Sequence, residues 1–217
     1  MTAGAGGRGR FITLEGGEGG GKSTQCILLI PWLRERGIDA LATREPGGSP
    51  GAERIRELLV TGTADRWTPL TEVMLHYAAR QDHVQRVIEP ALAAGRWVVC
   101  DRFFDSTLAY QGYGHGVPLH FIETLRRQIV GETHRPDLTV ILDLPAAEGL
   151  RRSHSRENSE RRYESMPLDF HECLRRGFQE IAERERKRCV LIDARQSIDE
   201  VQAAIRLAIS KRLAVAV

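Results

Sequence analysis

Five short apolar runs punctuate the chain: residues 11–14 (FITL), 38–42 (IDALA), 97–100 (WVVC), 138–144 (LTVILDL) and 189–192 (CVLI). Several are nearly continuous rather than alternating, the pattern of strands buried on both faces of a parallel sheet. Helix-length segments lie between them, at 26–36, 70–94, 119–130, 170–187 and 198–213. Pro90 falls near the end of the longest and is expected to break or kink it there. Strand and helix in alternation predict an α/β doubly wound fold. Ligands in such folds sit at the carboxyl ends of the strands, so the residues from Glu15, Thr43, Asp101 and Asp193 onward become the first candidates.

No internal repeat or linker divides the 217 residues, which are expected to form one domain behind a flexible lead-in at 1–9. One stretch differs from the rest. Residues 151–162 (RRSHSRENSERR) are almost wholly polar, and read either as a solvated helical face or as a mobile arginine-bearing lid spanning about 149–166. Lys and Arg total 31 against 29 Asp and Glu, a net charge of +2, which argues against a bulk nucleic-acid binder. No apolar run approaches a membrane span, and the N-terminus lacks a signal-peptide core. Cys26, Cys100, Cys173 and Cys189 are scattered without metal spacing, as expected of reduced thiols in a cytoplasmic protein. Only Lys22, Lys187 and Lys211 are lysines, so nearly all the basic charge is arginine.

The first run leads into GGEGGGKST, which fits G-x-x-x-x-G-K-[ST] as Gly16, Gly21, Lys22 and Ser23. Gly17, Glu18, Gly19 and Gly20 fill the loop and Thr24 closes it. Such a loop turns backbone N–H groups onto phosphate oxygens, with the positive end of the next helix behind them. Lys22 is placed to reach the β- and γ-phosphates, and the Ser23 hydroxyl to ligate Mg²⁺. The motif therefore predicts an ATP- or GTP-type site. The GTPase branch is disfavoured, because the only asparagine, Asn158, is followed by Ser159 and cannot begin N-K-x-D. The third run ends in Asp101-Arg102 rather than in the acidic pair of a motor ATPase.

From about residue 11 to 209 the chain resembles the bacterial thymidylate (dTMP) kinases, within the nucleoside monophosphate kinases. The resemblance is carried by LEGGEGGGKST, TREPGGSPGAERIRELL, YAAR, DRFFDSTLAYQG and the arginine-rich segment. It implies a P-loop NTPase fold, with a five-stranded parallel sheet flanked by helices and a short lid. It also implies roles at matching positions. Glu18 accepts a hydrogen bond from the 3′-hydroxyl of the acceptor. Glu45 helps position the acceptor phosphate and metal-bound water. Arg56 and Arg102 clamp the monophosphate, for which a planar guanidinium is suited. Arg80 reaches thymine O4, Thr107 and Gln111 read the base edge, and Tyr110 crowds C2′. Asp101 holds Mg²⁺ through water, together with Ser23. His76 stands where most members carry a phenylalanine stacked on thymine; it stacks in its place or packs between helices. Tyr77 should point elsewhere. Gly19 lacks the loop arginine of some relatives, which leaves transition-state charge to a lid arginine among Arg151, Arg152, Arg156, Arg161 and Arg162, with Arg162 favoured.

The implied reaction is transfer of the ATP γ-phosphoryl group to dTMP, giving ADP and dTDP, with Mg²⁺ as cofactor. Lys22, Arg102, Arg162 and Glu18 form its expected catalytic set. The resemblance also implies a homodimer, and the near-neutral charge balance gives no cause to expect a nucleic-acid or membrane partner. Two alternatives stay open from the sequence: a kinase for another pyrimidine nucleotide or nucleoside, and an ATP-dependent switch module.

Overall fold

The computed structural model describes residues 7–154 and 162–215. Its sheet comprises β1 (Phe11–Glu15), β2 (Ala40–Arg44), β3 (Trp97–Asp101), β4 (Leu138–Asp143) and β5 (Cys189–Asp193). All neighbours are parallel and the order is β2-β3-β1-β4-β5. Helices are α1 (Lys22–Arg34), α2 (Pro50–Val60), α3 (Pro69–His83), α4 (Glu89–Ala93), α5 (Phe104–Thr107), α6 (Leu119–Ile129), α7 (Ala146–His154), α8 (Leu168–Arg184) and α9 (Ile198–Leu213).

The continuous apolar runs follow from burial on both faces. Ile12, Leu14, Val99, Val140 and Leu142 pack under α1 and α9, with Leu29, Leu33, Ile205 and Ile209. Phe11, Val98, Cys100 and Ile141 face the other way, onto Tyr77, Phe103, Phe104, Phe178 and Ile181. Leu14 pairs with Asp101, so the central strands β1 and β3 end side by side. That register brings the loop after Glu15 against the loop after Asp101.

β2 begins two residues later than its apolar run, because Ile38 N–H is used at the exit of α1, donating to Leu33 O at 3.1 Å. Pro90 does not break the long helix. The turn before it, Val84–Ile88, widens to π geometry, and Glu89 N–H reaches back five residues to Val84 O. Pro90, which has no N–H to give, then sits in the first turn of α4. A second π turn, Leu108–Gly114, carries the YQG segment.

Of the expected lead-in, residues 1–6 lie outside the described residues, whereas Gly9 is buried and donates to Leu92 O at 2.8 Å. Arg156 and Arg161 also lie outside the described residues. All four cysteines are free thiols. Among the described residues, no helix is long and apolar enough to cross a membrane.

Candidate active site

The cleft is built where β1 and β3 end. Gly16 and Gly21 have φ of 131° and 83°, backbone that a side chain would strain, and this turns the loop into α1. Lys22 is buried and donates from Nζ to Gly17 O at 2.7 Å. Burial, with Arg102 nearby, lowers its pKa to about 8. The Ser23 hydroxyl donates to Asp101 Oδ2. Asp101 Oδ1 is buried and has no hydrogen-bond partner among the described residues. A hydroxyl and a carboxylate beside a phosphate loop are hard oxygen donors. They fit Mg²⁺, which takes one or two protein oxygens and fills its remaining positions with phosphate and water.

Arg102 occupies the left-handed region with φ of 67°. Its neighbours hold it there. The Glu15 carboxyl, at the end of β1, accepts from Phe103 N–H at 2.8 Å and from the Ser106 hydroxyl at 2.5 Å. Complete burial and nearby Asp105 push that carboxyl up to about 8. The twist aims the Arg102 guanidinium back at the phosphate loop, where it donates to Gly16 O at 2.9 Å and to Glu18 Oε1 at 3.0 Å. Glu18 Oε1 also accepts from the Tyr110 hydroxyl at 2.5 Å. Burial alone would raise the Glu18 pKa, but Arg102, Lys22 and Tyr110 outweigh it and hold it near 2. Glu18, Arg102 and Tyr110 thus form one charged cluster across the cleft mouth.

The opposite wall comes from α3 and the second π turn. Arg80 is almost wholly buried over Tyr77 and Phe103, with its carbon 4.8 Å and 5.3 Å from the ring centres. It donates from Nε to Glu45 Oε2 at 2.7 Å and from Nη2 to Thr107 Oγ1 at 3.2 Å. Glu45 also meets His83 Nδ1 at 3.0 Å, and His83 Nε2 meets Thr43 Oγ1 at 2.7 Å. Glu45 and Thr107 thus both orient Arg80, and Glu45 also lines the cleft. Besides Asp101, two residues lining the cleft carry a buried atom without a partner among the described residues: Arg80 at Nη1 and Gln111 at Oε1.

His76 lines the same wall, its Nε2 3.2 Å from the Tyr163 hydroxyl. Burial first, and then Arg80, lower its pKa to about 3, so the ring is neutral. Tyr77 points into the core, as the helical spacing required, and donates to Ile122 O at 3.1 Å. Arg56 also lines the cleft, donating to Pro46 O at 2.7 Å. The whole cleft encloses about 320 Å³.

Arg162 is placed away from it. It donates to Thr63 O at 2.9 Å, Leu59 O at 3.2 Å and Ala64 O at 2.8 Å, and it pairs with Glu72. Its side chain is fully buried. The sequence favoured Arg162 for its place before Tyr163-Glu164; the fold uses it to seat the end of the arginine-rich run on the α2–α3 connection. Arg151 instead borders a second cavity beside Gly19, Gly20 and Gly21. The sequence singled out Glu15 only as a strand-end candidate and assigned no role to Glu72, His83 or Ser106. Their signal is tertiary, since each acts on a side chain distant in sequence.

Comparisons with known proteins agree on one family. The thymidylate kinase family model matches residues 14–205. A thymidylate kinase of Caulobacter vibrioides is 56% identical over 206 residues, covering 95% of this chain and 98% of that protein. One from Magnetococcus marinus is 50% identical over 198 residues, covering 91% and 94%. The crystal structure of thymidylate kinase from Ehrlichia chaffeensis superposes with a TM-score of 0.74 at 32% identity, covering 93% of this chain and 99% of that one.

Proposed function

The chain belongs to the thymidylate kinase family, and on that premise we propose how its residues transfer the γ-phosphoryl group of ATP to dTMP, giving ADP and dTDP. One observation supports the choice of acceptor. The base wall offers a buried donor, Arg80 Nη1, and a buried acceptor, Gln111 Oε1, both without partners among the described residues. Thymine answers with a C4 carbonyl and an N3–H; cytosine presents the opposite at both atoms. Leaving a buried donor or acceptor unpaired is costly, so this polarity rejects the wrong base strongly.

The remaining roles are those the family resemblance implies, and the position of these residues around the cleft supports them. The loop 16–24 cradles the ATP phosphates through Gly16, Gly17, Glu18, Gly19, Gly20, Gly21, Lys22, Ser23 and Thr24. Ser23 and Asp101 would hold Mg²⁺, which when bound neutralises charge on the phosphate oxygens. Arg102 and Arg56 clamp the acceptor phosphate. Glu18, kept ionised by Arg102 and Lys22, accepts from the sugar 3′-hydroxyl. Tyr110, pinned to Glu18, closes the space beside C2′. His76 offers a neutral ring face to the base. An acceptor phosphate oxygen is already anionic near neutral pH, so catalysis needs positioning and charge neutralisation rather than a dedicated base. Lys22 and Arg102 supply that charge, and an arginine of the segment 151–161 completes it.

A homodimer belongs to the same reading, with Leu70 and Met74, about half exposed one turn apart on α3, giving that helix an apolar face. The free thiols suit a reducing cytoplasmic setting. The experiment is an acceptor panel with ATP and Mg²⁺, detecting ADP. dTMP should be the best acceptor, with dUMP behind it and cytidine and purine monophosphates far below. Equal use of dCMP would overturn the assignment.

A further inference from the structure

An amide side chain has two opposite ends: its oxygen accepts and its nitrogen donates. For Gln111 the end that faces the base decides which pyrimidine fits. Its Nε2 lies 2.9 Å from Glu72 Oε2 and 3.4 Å from the Tyr163 hydroxyl. Its Oε1 is buried without a partner among the described residues, on a side chain that lines the cleft.

Glu72 lies on α3, one turn before His76, and is 1% exposed. One of its oxygens takes the Arg162 guanidinium. The other takes Gln111 Nε2 and, at 3.2 Å, the Tyr163 hydroxyl, with His115 Nε2 3.9 Å away. A carboxylate paired with a guanidinium accepts and does not donate. A reversed Gln111 amide would set two acceptor oxygens against each other in a buried site. The orientation is therefore dictated by the charge on Glu72. The same polarity runs one step further. Tyr163 spends its single proton on Glu72, so its oxygen accepts from Gln111 and from His76 Nε2, 3.2 Å away.

We propose that Glu72 is a positioning residue that sets the hydrogen-bond polarity of the base-reading wall. It obliges Gln111 to show an acceptor to the cleft, so that a pyrimidine bearing N3–H is admitted and one with a bare N3 is refused. The inference rests on the thymine-pocket reading above and deepens it. It also ties base reading to Arg162, the last residue of the arginine-rich segment, and to Tyr163 after it, through one carboxylate.

The test compares kcat/KM for dTMP with that for 5-methyl-dCMP, which keeps the methyl group and alters only the N3 and C4 edge. The ratio does not depend on the fraction of enzyme that is folded. Glu72→Gln gives Gln111 a partner that can donate, freeing its amide to turn; the preference for dTMP should shrink by about 100-fold, largely through KM. Glu72→Asp keeps a pure acceptor and should preserve the ratio even where stability falls. An unchanged ratio in Glu72→Gln overturns the proposal. A second measurement needs no variant. In the ligand-free wild type, the Gln111 side-chain amide protons should exchange slowly with solvent by ¹⁵N NMR; exchange at the rate of an exposed glutamine amide contradicts it. Failure of the wild type to phosphorylate dTMP would instead contradict the underlying function.

Discussion

Arg80 Nε donates to Glu45 Oε2 across 2.7 Å, and neither side chain is more than 3% exposed. The pair joins the loop after β2 to α3 and directs the remaining Arg80 nitrogen at the cleft. Removing one partner of a buried pair strands the other charge. Glu45→Ala should therefore cost about 3–5 kcal/mol of stability in urea denaturation. It should also raise KM for dTMP more than it lowers kcat, because it disturbs a base-reading group rather than the transferring phosphate. A loss confined to kcat would return Glu45 to the phosphate side.

Arg102 separates folding from turnover. Its left-handed backbone costs an ordinary residue about 1–2 kcal/mol, a strain glycine avoids. Arg102→Gly relieves that strain while losing the contact with Glu18, so its stability should stay within about 1 kcal/mol of wild type. Turnover with dTMP should fall by about a thousandfold or more. Thermal melting beside steady-state kinetics checks both halves.

Arg162 answers differently. Its deletion leaves Glu72 unpaired and three carbonyls, of Leu59, Thr63 and Ala64, without their donor. Arg162→Ala should lower stability by about 3–5 kcal/mol, the cost of breaking a buried pair. Unaltered stability together with abolished turnover would show that Arg162 leaves this seat to act in the cleft.

Lys22 provides a pH signature. With its pKa lowered to about 8, the free enzyme carries a charged Lys22 below that pH and a neutral one above it. An anionic phosphate favours the ammonium and raises the pKa in the complex. Affinity for ATP should thus be level below pH 8 and fall as pH rises past it, by up to about tenfold per unit. Calorimetry at pH 8.5 in buffers of different ionisation enthalpy should register proton uptake on binding. Lys22→Met should remove the uptake along with most of the affinity.

The sheet was legible in the sequence because strands buried on both faces must be apolar throughout. The phosphate loop was legible because a glycine-dense turn that leaves a strand and runs into Gly21-Lys22-Ser23 suits little besides a bound phosphate. Two helical details were not. Pro90 marks a defect, but the structure accommodates it in the preceding π turn. The second π turn brings Tyr110 and Gln111, adjacent in sequence, to one cleft; α-helical spacing would not suggest it. The supporting groups were the least legible. Glu45 and Thr107 belong to recognisable motifs, but their hold on Arg80 does not show in them; Glu15 showed only as a strand end, and Glu72 reveals itself only by what it touches.

The most direct measurement is ³¹P NMR of the enzyme with ATP, Mg²⁺ and dTMP. Phosphoryl transfer to dTMP requires ADP and dTDP to appear together in equal amounts, with no inorganic phosphate beyond that of the enzyme-free sample. Inorganic phosphate accumulating without dTDP would contradict it and point to an ATP hydrolase.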